Sequence, residues 1–258
     1  MRIVRFAYQG KTSYGILKDD YIRPLKQPPF DELIETGDAI PRAEARLLAP
    51  CQPSKIIALG LNYRDHAAEL KMPLPAEPLI FLKPSTAVIG PEAKIVYPSQ
   101  SNRVDYEAEL GVVLGRTAYR VPEAEASAYI LGYSCFNDVT ARDLQKQDGQ
   151  FTRSKSFDTF APLGPWIETE IADPDYLRVE AYINGERRQQ GNTQNMVFGV
   201  PKLISFISHI MTLLPGDVIA TGTPAGIGPM LPGDVVEIVV EGIGTLRNRV
   251  VVDSHGQS

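Results

Sequence analysis

The segment N102-R-V-D-Y-E-A-E-L-G-V-V-L-G115 holds the question on which the rest of the chain turns. Most of it reads as a strand, with alternating residues that run into Val112, Val113 and Leu114. Residues two apart on a strand face the same way. Glu107 and Glu109 therefore project side by side, while Tyr106, Ala108 and Leu110 point to the other face. Two carboxylates on a buried face repel each other and lose their hydration, so a positive group belongs between them. Oxygen donors suit a hard divalent cation such as Mg²⁺, Mn²⁺ or Ca²⁺. Taken alone, the pair is more simply explained as an exposed face of an edge strand. A third carboxylate, Asp138, ends the apolar run S134-C-F-N-D138. By itself it also fits a helix N-cap, with Arg142 in the first turns.

Around this segment the chain reads as mostly strand with a few helices. Residues 1–50 form a small N-terminal unit of short strands with turns at Gly10-Lys11 and Lys18-Asp20, and with a brief helix over F30-D-E-L-I-E-T-G-D38. A larger unit follows over 51–252, and 253–258 is a polar tail containing His255. In the larger unit, V121-P-E-A-E-A-S-A-Y-I130 predicts a helix. V200-P-K-L-I-S-F-I-S-H-I-M-T-L213 predicts an amphipathic helix burying Leu203, Phe206, Ile207, Ile210 and Met211. Asn184-Gly185 signals a tight hairpin. L-P-G-D-V occurs at 214–218 and again at 231–235, each a turn feeding a strand. There is no regular strand–helix alternation of the doubly wound kind.

The totals exclude several classes. The chain has 258 residues, 43% of them hydrophobic, and a net charge of −5. No basic stripe offers a nucleic-acid surface. No apolar run approaches the roughly 20 residues that span a bilayer. Cys51 and Cys135 are too few for a disulfide framework and read as free buried thiols of a cytoplasmic protein. No Gly-x-Ser-x-Gly elbow occurs. The glycines of A220-T-G-T-P-A-G-I-G228 have the wrong spacing for a dinucleotide fingerprint.

Seven segments resemble, in order, those of the fumarylacetoacetate hydrolase family. They are LNYRDHAAEL, EPLIFLKPSTAVIGP, VDYEAELGVVLG, GYSCFNDVTARDLQ, RSKSFDTFAPLGPWI, INGERRQQGNT and GDVIATGTPAGIG, spread over roughly residues 55 to 250. The likeness is to short stand-alone members: acylpyruvate hydrolases, oxaloacetate decarboxylases or tautomerases, and the isomerase/decarboxylase acting on hepta-diene-dioates. It implies a mixed α+β, mostly β fold, a rolled mixed β-sandwich, usually a homodimer. It also implies one Mg²⁺ or Mn²⁺ per subunit on Glu107, Glu109 and Asp138.

The same resemblance implies that His66 and Glu69 are the base pair that activates water or moves a proton. Lys155 would meet a developing oxyanion. Arg142, Gln145 and the Gly222-Thr223 loop would hold the substrate, and K71-M-P-L-P-A-E-P78 would be a lid. Read without it, His66 is a surface histidine, Lys155 a solvated residue, and Arg142 a salt-bridge partner of Asp138 or Asp143.

Three functions follow as expectations. The first is metal-dependent cleavage of a C–C bond in a small 2-oxo or 2,4-dioxo acid through a stabilised enolate, by an acylpyruvate hydrolase or an oxaloacetate decarboxylase. The second is keto–enol tautomerase or diene-dioate isomerase. The third is a non-catalytic metal-dependent binding protein.

Overall fold

Strand Ala108–Leu114 is buried at all of its positions and lies within a 12-stranded sheet of the computed structural model, which describes residues 1–253. It pairs antiparallel with Ile130–Asn137 on one side and with Val218–Ala220 on the other. Beyond Val218–Ala220 come Lys55–Gly60, in parallel, and then Leu79–Pro84 at the sheet edge. Beyond Ile130–Asn137 come Ala161–Glu168 and then the N-terminal strand Arg2–Tyr8. A second, five-stranded sheet runs in the order Glu186–Asn192, Arg178–Ile183, Val235–Val240, Gly244–Val252, Lys94–Tyr97. The fold is mixed α+β, mostly β, and built from several sheets.

The period-2 pattern sorts the central strand between two cores. Leu110, Val112 and Leu114 join Val179, Ala181, Ile238 and Val240 of the second sheet. Val113 joins Ile3, Ile56 and Phe136 on the opposite face. Because both faces are covered, the strand carries a continuous apolar run rather than a polar alternation. Glu107 and Glu109 have the parity of Val113, so they point into protein and not into water.

Residues 1–50 have a hydrophobic cluster of their own, including Val4, Phe6, Ile22 and Leu47. Their sheet is nevertheless continuous with the main one: Arg2 pairs with Glu168 and Ile3 with Ile167. The Met1 ammonium caps that junction at 2.7 Å from Glu168 Oε1.

Three local expectations need correction. Residues 30–38 are not helical: Leu25 bridges to Glu35, and Lys26 N–H donates to Ile34 O at 2.9 Å. Leu33 and Ile34 are exposed, so no core face is available to hold so short a helix. Residues 123–129 form a 3₁₀ helix with only Ala126 buried, too little apolar spacing for a full α-helix. The helix Val200–Ile210 is present, but its buried stripe is Val200, Leu203, Ile204, Ile207 and Ser208. Ser208 is drawn inward because its hydroxyl accepts from Val121 N–H at 2.9 Å, which leaves Ile210 and His209 exposed.

The turns follow their sequences. Asn184 and Gly185 have φ of 51° and 79°, as a type I′ hairpin requires. In each L-P-G-D-V turn the aspartate, Asp217 or Asp234, accepts from the leucine N–H at 2.8 Å. Both cysteines are free and buried. Among the described residues no helix is long and apolar enough to cross a membrane. His255 and the rest of 254–258 lie outside the described residues.

Candidate metal centre and cavity

The expected single strand is interrupted at Glu107, which falls between strands Val104–Tyr106 and Ala108–Leu114. Its N–H donates to Asn137 Oδ1 at 3.0 Å instead of to a strand carbonyl. The first piece then leaves the main sheet to pair with Gly228–Met230 and Thr140–Ala141. The pairing of Ala108 with Asn137 brings the next residue, Asp138, beside both glutamates, and Asp138 N–H donates to Glu107 O at 2.9 Å. Asp138 is not a helix cap: the helix Arg142–Asp148 begins at Ala141 without a side-chain cap. One oxygen from each of Glu107, Glu109 and Asp138 can be chosen so that all lie within 4.8 Å of one another, and all three residues are buried.

Three cations surround this cluster. The Lys155 ammonium donates to Glu107 Oε2 at 2.9 Å and to Asp138 Oδ2 at 2.6 Å. Lys83, with no exposed surface, donates to Asp138 Oδ1 and to Val139 O. The Arg142 guanidinium donates to Asp105 at 2.9 Å, to Glu107, and to Gln145 Oε1 at 2.6 Å. Arg142 thus pairs with neither Asp138 nor Asp143.

Burial acts against every charge here, and the partners decide the outcome. Burial would raise the Glu107 carboxyl, but Lys155 and Arg142 hold it well below the usual carboxylate range. Burial raises Glu109, and the charges of Asp138 and Glu107 push it further up. Burial lowers the Lys83 ammonium, and Asp138 recovers only part of that.

Glu109 Oε2 accepts from Gly222 N–H at 2.9 Å, whereas Glu109 Oε1 is buried without a partner. A buried carboxylate oxygen left alone is costly. An all-oxygen set with one orphaned atom fits a hard divalent cation, which Glu107, Glu109 and Asp138 could hold.

Of the three carboxylates, Glu107 reaches a cavity of about 270 Å³. His66, Glu107, Arg142, Gln145, Lys155 and Thr223 all line it. The helix Arg64–Glu69 places Glu69 one turn beyond His66, with His66 Nδ1 at 3.0 Å from Glu69 Oε2. Glu69 Oε1 accepts from Gly226 N–H at 3.1 Å. The pair is therefore fixed from behind and leaves imidazole Nε2 for the cavity.

Three donors of the glycine-rich loop serve the protein itself. Gly222 N–H serves Glu109 and Gly226 N–H serves Glu69. The Thr223 hydroxyl donates to Ala108 O at 2.8 Å and accepts from Gln189 at 2.7 Å. Gly222 has φ +92°, and a Cβ there would lie 2.9 Å from Asn62 Cβ, so only glycine fits.

Sequence reasoning missed two charged members of the site. Asp105 extends the Glu107, Glu109 period by one step and anchors Arg142 and Arg103. Lys83 is the one buried position of its strand. Its signal was a lysine inside the apolar run L79-I-F-L-K83, since a buried lysine requires a carboxylate partner.

A mostly β fold that buries three carboxylates beside a small cavity with a His–Glu pair has the donor set of a candidate metal site. Residues 55–251 match the family described as Fumarylacetoacetate (FAA) hydrolase C-terminal, and residues 1–50 match Rv2993c-like, N-terminal. The chain belongs to the fumarylacetoacetate hydrolase family.

A 2,4-didehydro-3-deoxy-L-rhamnonate hydrolase of Sphingomonas sp. (strain SKA58) is 40% identical over 273 residues, which cover 97% of this chain and 96% of the relative. The crystal structure of a 5-carboxymethyl-2-hydroxymuconate delta-isomerase from Mycobacterium smegmatis superposes with a TM-score of 0.93 at 45% identity, over 98% of this chain and 100% of that one. A maleylpyruvate hydrolase from Sphingobium sp. SYK-6, solved with manganese(II) and pyruvate, superposes at 0.83 with 31% identity, over 98% and 100% of the two chains.

Proposed function

We propose that the protein cleaves a C–C bond in a small 2-oxo or 2,4-dioxo acid with the help of one Mg²⁺ or Mn²⁺ held by Glu107, Glu109 and Asp138. The observation that carries this reading is the buried three-carboxylate cluster with its orphaned Glu109 Oε1, a cluster that reaches, through Glu107, a cavity lined by His66 and Lys155. A bound divalent cation supplies Lewis acidity, lowering the cost of negative charge on a carbonyl oxygen nearby.

The chain's own residues do the rest. His66, oriented by Glu69, takes a proton from water, whose oxygen bonds to the C4 carbonyl of a 2,4-dioxo acid. The C3–C4 bond then breaks, and its electron pair stays on C3 as the pyruvate enolate. The imidazolium returns its proton to C3, giving pyruvate and a carboxylic acid. Lys155 offers a fixed positive charge to oxygen atoms that become negative. Arg142, anchored by Asp105 and Gln145, presents its remaining N–H groups to a substrate carboxylate. With oxaloacetate the same enolate arises by loss of CO₂, and no water is consumed.

A second reading is keto–enol or double-bond isomerisation. It is favoured by the likeness to the named isomerase and by a His66–Glu69 pair that can shuttle a proton without water attack. The test is to strip the protein with EDTA, restore Mg²⁺ or Mn²⁺, and follow acetylpyruvate and oxaloacetate by proton NMR. Metal-dependent pyruvate release is expected. Solvent deuterium uptake without pyruvate would move the assignment to an isomerase, and binding without either change would make the protein a non-catalytic binder.

A further inference from the structure

The cavity has two chemical halves. Glu107, Arg142, Lys155 and His66 make one, and the other is hydrocarbon. Phe81 and Phe151 meet edge to face, with ring centroids 5.2 Å apart, and the Lys155 ammonium stands 5.1 Å from the Phe81 ring. Leu79 continues this wall at Gly60, where a Cβ would lie 3.0 Å from Leu79 and 3.6 Å from Phe151. At the mouth, Leu79 and Met72 remain 44% and 49% exposed. An apolar wall that opens at a cavity mouth calls for an apolar occupant.

The cations give the same answer. Lys83 is sealed beneath the site, and Lys155, paired with Glu107 and Asp138, serves the reacting oxygens of the keto unit. Arg142, bonded to Asp105, Glu107 and Gln145, has N–H groups left for one substrate carboxylate only. Lys146 is the remaining lysine of the cavity lining and is exposed at the rim, where water already solvates it. The charged half can match one carboxylate–keto unit. A second carboxylate at the far end of the substrate would lose its hydration against Phe81, Phe151 and Leu79, which is costly.

We infer that, among the acids the proposed reaction admits, the site prefers monocarboxylates over oxaloacetate and longer dicarboxylates: 2-oxo or 2,4-dioxo acids whose far end is an alkyl or aryl group seated on Leu79, Phe81 and Phe151. Dicarboxylates of the same length are selected against. The inference rests on the proposed site for the orientation of the substrate, but its test is separable from turnover. Each methylene that reaches the wall strengthens binding by up to about fourfold.

Calorimetry on the Mn²⁺-loaded protein with 2-oxohexanoate and with 2-oxoadipate compares a methyl with a carboxylate at one chain length. The expected result is at least tenfold tighter binding of 2-oxohexanoate. Leu79→Arg, at a half-exposed position that tolerates the change, should reverse the order. Lys146→Ala should leave the ratio within about twofold. Equal or tighter binding of 2-oxoadipate by the wild-type protein overturns the inference, and its loss in Lys146→Ala would name the rim lysine as the reader of the second carboxylate. In parallel, kcat/KM for acetyl-, butanoyl- and hexanoylpyruvate should rise along the series. If none of them yields pyruvate while 2-oxohexanoate still binds preferentially, the reaction assignment fails and the specificity stands.

Discussion

Replacing Lys83 with methionine tests the charge balance beneath the site. Four carboxylates, Asp105, Glu107, Glu109 and Asp138, face three buried or largely buried cations, Lys83, Arg142 and Lys155. Methionine fills most of the volume of the lysine stem, so the cavity penalty is small and the loss is one charge and its hydrogen bonds to Asp138 and Val139 O. Breaking a buried ion pair from one side costs roughly 3–5 kcal/mol. Burial already depresses the Lys83 ammonium, and Asp138 keeps its bond to Lys155. The expected cost is therefore at the lower end, about 3 kcal/mol in metal-free protein. A divalent cation gives Asp138 a new partner, so Mn²⁺ should stabilise Lys83→Met more than it stabilises the wild type. Urea unfolding in EDTA and in Mn²⁺ measures both quantities. A loss under 1 kcal/mol in EDTA, or a larger loss in Mn²⁺ than in EDTA, would refute the reasoning.

Glu109→Gln removes the carboxylate whose Oε1 is orphaned, and calorimetry should find Mn²⁺ affinity lowered by about a hundredfold or more with the circular dichroism spectrum unchanged. His66→Ala should leave Mn²⁺ affinity intact while lowering kcat for pyruvate release by about 10²–10⁴-fold, measured with a coupled dehydrogenase assay. Burial pushes both thiols from 9.0 up to about 12, so a disulfide reagent at pH 8 should label neither cysteine in the native protein and both in urea. A raised acid keeps its proton in the folded state after the unfolded chain has lost it. Stability from Cys51 and Cys135 is therefore complete below pH 9 and declines between pH 9 and about 12, and the Cys51→Ala/Cys135→Ala double variant should have a flatter alkaline limb in urea titrations.

The strand, hairpin and turn signals were legible because they are local. Asn184-Gly185, the two L-P-G-D-V turns and the period-2 runs need only neighbouring residues to act. The failures share a cause as well. F30-D-E-L-I-E-T-G-D38 carries helix-like spacing, but the fold offers Leu33 and Ile34 no surface to cover. In the helix Val200–Ile210 the stripe turned because a distant N–H, that of Val121, takes up Ser208. Tertiary partners outweigh local preference at such positions.

The candidate site divides along the same line. The i, i+2 spacing of Glu107 and Glu109 put both on one face of a strand but left a cation and an exposed edge open, and the resemblance of seven segments singled out the cation and the His66–Glu69 pair. No local rule could bring Asp138 to Glu107, since that requires the register in which Ala108 faces Asn137. Nor could one direct Gly222 N–H to Glu109, 113 residues away in the chain. Lys83 and Asp105 became members of the site only through burial, which turns an ordinary lysine and an ordinary aspartate into obligatory ion-pair partners. By itself the sequence determined the chemistry that was available, because donor type and spacing are properties of a few adjacent residues. Which charges are desolvated, and against which partners, was decided by the tertiary structure, because strand register and burial are set by contacts far apart along the chain.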